Sequence, residues 1–160
     1  MGFDLHGMNP VIREGKEPKR PDNLWKLSEK KSQKYFENNP GVYFRNNCWW
    51  WRSLWDYVCN ECDDILSERD WESGHYNDGH VISEEKAVQI GKRLNELIES
   101  GKAQTYVDAH EQERKEAEEA NKGLKSSDEG YDWAESYPLD LDNIQRFAVF
   151  CSESGGFQIS

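Results

Sequence analysis

Apolar and polar positions follow two periods along this chain, and each period marks a different kind of element. "GFDLHG", residues 2–7, alternates apolar with polar residues and stops at a glycine, which predicts a short strand. Residues 9–23 break the alternation with Pro10, Pro18 and Pro21 and predict an irregular stretch. Ser28 is placed to cap a short helix running to Phe36, which "NNPG" then ends. Further on, Trp51, Leu54, Trp55, Val58, Cys59, Cys62, Ile65 and Leu66 recur at intervals of three and four. That stripe predicts a central helix over 49–66, with Asn46 or Asn47 as its cap.

"SERDWESGHYNDGHVIS", residues 67–83, reads as a loop from its Gly, Asn, Asp and Ser content. Ser83 then caps a helix with Glu84 and Glu85 in its first turn, where negative charge suits the helix dipole. Its apolar stripe is Ala87, Ile90, Gly91, Leu94, Leu97 and Ile98, and Gly101 stops it. Residues 104–122 hold helix formers with little apolar face beyond Tyr106, Val107 and Ala109, which predicts a solvated helix fraying into "GLKSSDEG". Asp140 or Asp142 opens a last helix bearing Ile144, Phe147, Ala148 and Cys151, with Gly155 and Gly156 as its stop. "FQIS" predicts a closing strand beside the first one. The expected fold is mainly α (α+β): a bundle of about four helices with a small sheet from the N- and C-terminal segments. It forms one domain over 1–160, with 9–40 as an irregular, short-helix insertion and 108–135 as an acidic, partly mobile helix and loop.

Composition narrows the class. A 160-residue chain can bury about two-thirds of its unfolded surface, enough for a core without disulfides. Hydrophobic residues are only 36% of the chain but include seven tryptophans, so aromatics, at roughly 150–250 Å² each, carry that core. The net charge of -11 argues against non-specific binding to phosphate backbones. No apolar run approaches the ~20 residues of a membrane span. The start of the chain lacks a signal pattern and the small hydroxyl residue that myristoylation requires. A cytoplasmic protein is expected, its four cysteines reduced and mostly serving as core hydrophobes.

"CWWWRSLW" then raises a geometric problem. Consecutive helical residues sit about 100° apart, so three tryptophans sweep roughly 200° and exceed one apolar stripe. Trp51 belongs to the stripe, Trp50 to its flank with Tyr57, and Trp49 to the polar face with Arg52 and Asp56. Trp49 and Trp50 therefore need cover from elsewhere in the chain, from a partner or from a ligand. "RNN" precedes this helix, where backbone N–H groups and the positive dipole end favour anions. Arg45 and Arg52 flank the same end as fork-shaped donors, and indole faces beside them make a seat for a nucleobase. The plainer alternatives are capping for the asparagines and surface pairing for the arginines.

"SGHYNDGH" gathers His75, Tyr76, Asn77, Asp78 and His80 between glycines. Such a loop can present a base, an acceptor and an amide together, although a turn-rich loop looks the same. Cys59, Cys62, His75 and His80 match the C-x2-C-x12-H-x4-H spacing of a zinc finger. Two cysteines on a helical core stripe and a histidine among glycines do not suit that fold, and no metal is expected. No nucleophile elbow, P-loop or dinucleotide fingerprint occurs, so no cofactor is expected.

Taken together, "MGFDLHG", "NPGVYFRNNCWWWRSLWDYVCNECDDIL", "GHYNDGH", "SEEKAVQIGKRL" and "SYPLDLDNIQRFAVFCSESGGF" resemble a family of uncharacterised proteins of bacteriophages and prophages. The resemblance covers most of the chain and centres on the YFRNN-x-WWWR-x-LW-x-Y core. Many members carry a cysteine-rich insertion between the last two helices; here "HEQERKEAEEANKGLKSSDEG" stands there without a cysteine. The resemblance implies a phage-type origin and a role in the host cell, and no specific activity.

The expected function is therefore a non-catalytic binding protein for a small, planar, anionic ligand such as a nucleotide, which in a phage setting suits sequestration of a host defence signal. Its expected site is Arg45, Asn46, Asn47, Trp49, Trp50, Arg52, Tyr57, His75, Asn77 and Asp78, with no catalytic set. Neither nucleic acid nor membrane is expected as a direct partner, and homo-oligomerisation stays open. One alternative is an acidic inhibitor of a host protein, a DNA mimic, since 108–142 holds twelve acidic against four basic residues, a net of -8. Another is a small hydrolase using His75 and Asp78 as base and orienter.

Overall fold

A computed structural model describes the backbone of residues 2–13 and 29–160. The expected cap Ser28, and Pro18 and Pro21, lie outside the described residues. The elements run β1 (Gly2–Gly7), α1 (Glu29–Asn38), β2 (Tyr43–Asn47), α2 (Cys48–Glu61), α3 (Glu68–Ser73), β3 (Val81–Ile82), α4 (Glu84–Glu99), α5 (Lys102–Ala120), α6 (Leu141–Glu153) and β4 (Phe157–Ile159). A 3-10 turn at Trp133–Ser136 precedes α6. The chain is mainly helical with a small antiparallel sheet, ordered β2-β1-β4-β3.

Alternation places the strands as their sequence dictates. Phe3 and Leu5 of β1 point inward with Phe44 of β2 and Phe157 and Ile159 of β4, while His6 and Arg45 face out. β1 is the hub: it pairs with β2 in the register Gly2↔Asn47 to His6↔Tyr43, and with β4 through Leu5↔Ile159. The closing strand thus lies beside the first one, as the "FQIS" pattern predicts. Strand β2 is a correction, because its asparagines read as helix caps and ligand contacts and not as strand residues. Asn46 is a strand residue and Asn47 ends the strand while capping α2.

The core lies between the inner face of this sheet and helices α2, α4 and α6. Trp51, Leu54, Trp55 and Val58 from α2 meet Ile90 and Leu94 from α4 and Ile144, Phe147 and Phe150 from α6 in one buried cluster. Phe44 packs against Phe147 and Phe150, with ring centroids 5.2 and 5.7 Å away. Ser83 caps α4 by accepting from Lys86 N–H, and Asp140 caps α6 by accepting from Asn143 N–H. Gly101 separates α4 from α5 at a φ of +79°, a left-handed turn that side chains resist.

Two further boundaries differ from expectation. Helix α2 ends at Glu61 rather than Leu66. Arg93 of α4 donates to the Glu61 carbonyl and grips Asp64 through two bonds of 2.9 and 2.8 Å, so a tertiary contact takes over where the helix stops. Cys62 and Leu66 stay buried without helical geometry. The supposed loop 67–83 contains α3 and β3. Ser67 and Asp70 form a capping box, with Ser67 Oγ accepting from Asp70 N–H and the Asp70 carboxylate accepting from Ser67 N–H. Between α5 and α6, Asn121 holds the chain by donating to the Asp132 carbonyl and the Glu135 carboxylate, each at 2.7 Å.

Candidate functional site

The three consecutive tryptophans leave α2 in three directions. Trp51 is fully buried, stacked between Phe3 and Trp55 at 5.5 and 5.3 Å, with its indole N–H donating to the Gly74 carbonyl at 2.7 Å. Trp55 adds a second such anchor, donating to the Trp71 carbonyl at 3.1 Å. Gly74 must be small here, since a Cβ would lie 2.0 Å from the Trp55 indole nitrogen. The indole stripe therefore pins α3 and the following loop onto the core.

Trp50 is half-buried and lines an open cleft of about 380 Å³ with Arg45, Asn46, Asn47, Asp140 and Arg146. Trp49 is 39% exposed and lies parallel to Trp133, at 6.3 Å and an interplanar angle of 3°, with Tyr137 at 5.3 Å. Part of the shelter Trp49 needs thus comes from the chain's own 131–137 segment.

The cleft sits where the end of β2, the start of α2 and the start of α6 converge. Asn47 accepts from Trp49 and Trp50 N–H, each at 3.1 Å, so the capping role is real and occupies two donors of the first turn. Arg45, on the outer face of β2, reaches Asp4 at 3.5 Å. Arg146 lies over the Phe44 ring at 5.6 Å and donates to Asp142 and Asn143, each at 3.0 Å. These exposed ion pairs contribute little, so either guanidinium can turn to a ligand at small cost. One carboxylate oxygen of Asp140 is occupied by the Asn143 N–H at 2.7 Å. Asn46 is 7% exposed, and its Nδ2 has no hydrogen-bond partner among the described residues. A second cavity, about 330 Å³, lies where α2 meets α3, with Asp63 and Glu68 in its wall, a poor seat for an anion.

No family model, curated protein or solved structure matches this chain.

The structure brings Arg45, Asn46, Asn47 and Trp50 to one cleft and sends the other expected site residues elsewhere. Tyr57 is a correction: it is fully buried, its ring 4.6 Å from Tyr106 of α5, and burial pushes its hydroxyl well above the usual range. The helix that covers it cannot be read from the local pattern. Arg52 donates to the Tyr137 hydroxyl at 3.5 Å on the Trp49 face. His75 meets Asp56 on that face at 3.3 Å, and burial raises the Asp56 carboxyl against the opposing charges of His75, Arg52 and His110. Asn77 donates to the Gly2 carbonyl at 2.8 Å, tying the loop to the sheet beside Asn47. Asp78 accepts from His80 N–H at 3.2 Å and so holds its own turn. His75 and Asp78 are thus engaged with different partners.

The zinc spacing finds other uses as well. His80 contacts buried Asp70 at 2.9 Å, and Lys86 reaches the same carboxylate. Burial pushes the Cys59 thiol far up and the Cys62 thiol up to about 12, the opposite of what metal ligation needs. No group of three or more His, Cys, Asp or Glu among the described residues is placed to hold a metal ion. Asp140 and Arg146, the members of the cleft that sequence reasoning missed, lie about ninety residues along the chain; only the folding of α6 onto β2 joins them to it. None of the helices among the described residues is long and apolar enough to cross a membrane.

Proposed function

We propose that this protein is a non-catalytic binding protein that captures a small, planar, anionic ligand of nucleotide type in the cleft between β2, α2 and α6. One observation carries the proposal: on a chain of net charge -11, two guanidinium groups, two carboxamides and an indole line a single cleft of about 380 Å³ against one carboxylate, Asp140. Arg45 and Arg146 take the anionic group, whose charge matches their forked donors. Trp50 offers an edge or face to the ring, a contact worth ~1–3 kcal/mol per base in single-strand binders. The Asp140 oxygen not used in the α6 cap accepts from a hydroxyl or amino group, so the ligand's negative end turns towards the arginines. The resemblance to phage proteins supports a setting in host cytoplasm, where sequestering a nucleotide signal would blunt a defence response.

The test is a panel of cyclic and linear nucleotides, read by thermal shift and tryptophan fluorescence. Binding raises the melting temperature by mass action and perturbs Trp50. No response across the panel at millimolar concentration refutes the proposal.

A second proposal, an acidic inhibitor of a host protein, is favoured by the Trp49–Trp133 stack, since Trp133 is 48% exposed and follows Asp132 in the acidic 108–142 segment. Exposed indoles within an acidic surface are the kind of anchors that dominate protein interfaces. Charge reversal at Glu113, Glu116 and Glu119 that leaves capture of a host partner unchanged refutes it.

A further inference from the structure

The cleft contains a feature that its arginines do not explain. Asn46 lies on the same inward face of β2 as Phe44, one strand repeat further on, and is nine-tenths buried. Its Nδ2 donates to no group among the described residues. A buried donor without a partner is costly, and native chains rarely keep one without a use. The facing helix repeats the pattern. Phe44 packs on Phe147, and one turn earlier α6 presents Asn143, 1% exposed, whose Nδ2 is also without a partner. The side-chain Oδ1 of Asn143 meanwhile accepts from Arg146, which lines the cleft, at 3.0 Å. Two buried carboxamide donors without partners among the described residues therefore lie at the β2–α6 interface, and one of them, Asn46, belongs to the wall of the cleft.

Resting on the nucleotide-type assignment of this cleft, we infer that Asn46 is its selectivity-determining residue, donating to an in-plane acceptor, a ring nitrogen or carbonyl, of a heteroaromatic ligand. The arginines satisfy any small anion, whereas the Asn46 amide is satisfied only by a ring with an acceptor on its edge. The bound class is then a nucleobase-bearing anion and not a carbocyclic aromatic phosphate. A polar site built for a partner discriminates strongly against ligands that leave it unpaired.

The experiment compares adenosine and uridine 5′-monophosphate with phenyl phosphate, by fluorescence titration of the full chain and of the Asn46→Leu variant. Wild-type protein is expected to bind at least one nucleotide about tenfold or more tighter than phenyl phosphate, and in Asn46→Leu that ratio falls towards one. The unliganded variant is expected to melt a few degrees higher, because a near-isosteric apolar side chain removes the unpaired donor. Should Asn46→Leu fail to fold, Asn46→Ser supplies the same affinity ratio. Equal wild-type affinities for both ligand types, or a ratio unchanged in the variant, overturn the role of Asn46 and leave the anion cleft standing. A lowered melting temperature with an unchanged ratio shows the amide to be structural and also overturns it. No binding of any probe by the wild type removes the cleft assignment and this inference together.

Discussion

Replacing Asp70 with asparagine tests whether the loop after α2 is held by a charged buried cluster. Asp70 is 5% exposed and accepts from Ser67 N–H at 2.9 Å and Ser67 Oγ at 2.7 Å, meets His80 Nε2 at 2.9 Å and is reached by the Lys86 ammonium. Asp70→Asn keeps the shape, removes the charge and turns one acceptor into a donor facing other donors. Hydrogen bonds to charged groups contribute ~1.5–3 kcal/mol each, and breaking a buried pair costs ~3–5 kcal/mol. The Lys86 side chain is 33% exposed and can retreat into water, so its charge is not stranded. The low end applies: a loss of about 3 kcal/mol, which lowers Tm by about 6–12 °C in a chain of this length.

The pH dependence has a definite sign. Burial alone would raise the Asp70 carboxyl, but hydrogen bonds from Lys86, from the Ser67 backbone and hydroxyl, and from His80 outweigh it and hold the group well below the usual carboxylate range. The unfolded chain therefore takes up the proton first, as pH falls through about 4. The stabilisation is complete above that pH and is lost below it. Urea denaturation followed by tryptophan fluorescence at pH 5, 4, 3 and 2.5 should show the gap between wild type and variant largest at pH 5 within that series. The gap should then narrow by up to ~1.4 kcal/mol per pH unit. A gap under about 0.5 kcal/mol at pH 7, the scale of an ordinary surface substitution, or one that widens as pH falls below about 5, refutes the charged-cluster account.

Gly74→Ala drives a Cβ to 2.0 Å from the Trp55 indole nitrogen and should cost ~1–3 kcal/mol through overpacking, with a red shift in tryptophan emission; unchanged urea midpoints would show that α3 yields freely. Arg45→Ala and Arg146→Ala should each weaken nucleotide binding about tenfold or more, one charge-assisted contact's worth, and undiminished affinity in fluorescence titrations would take the arginines out of the site. Trp133→Ala uncovers one face of Trp49, which should raise acrylamide quenching while costing only ~0.5–1.5 kcal/mol. In an ultraviolet titration Tyr43 should ionise late, at about 12, because burial and its bond to Asp4 favour the neutral phenol. Stability is then lost as pH rises from about 10, where the unfolded phenol ionises first, and a single transition of all seven tyrosines near 10 would contradict that placement.

What the sequence made legible is what its local chemistry decides. Helix α4 follows from Ser83, an apolar stripe at three and four, and Gly101, all within nineteen residues. The pairing of β1 with β4 follows from two alternating segments at the chain ends that must hide one face each. Strand β2 was missed because Asn46 and Asn47 belong to two elements at once, and asparagine signals a cap more strongly than a strand. Helix α3 was missed although Ser67 and Asp70 stand at capping-box spacing, because turn formers dominate the residues after it. Tyr57 shows the limit of one-helix reasoning, since only Tyr106 from α5 turns a flank into core.

The tryptophan run connects fold to function because helical geometry forbids its members a common fate. Trp51 is spent on the core and Trp49 is half-covered by the stack with Trp133, neither of which needs a ligand. Trp50 is left at the cleft edge beside Arg45, Asn46 and Arg146. A bulky apolar ring kept at a polar rim, in the same cleft as a buried amide with no partner among the described residues, is a poor solution for stability alone: a smaller polar residue at 50 and an apolar one at 46 would each relieve a cost. The two costs fall in the wall of one cleft, and a ligand with a flat ring and an acceptor on its edge would relieve both at once.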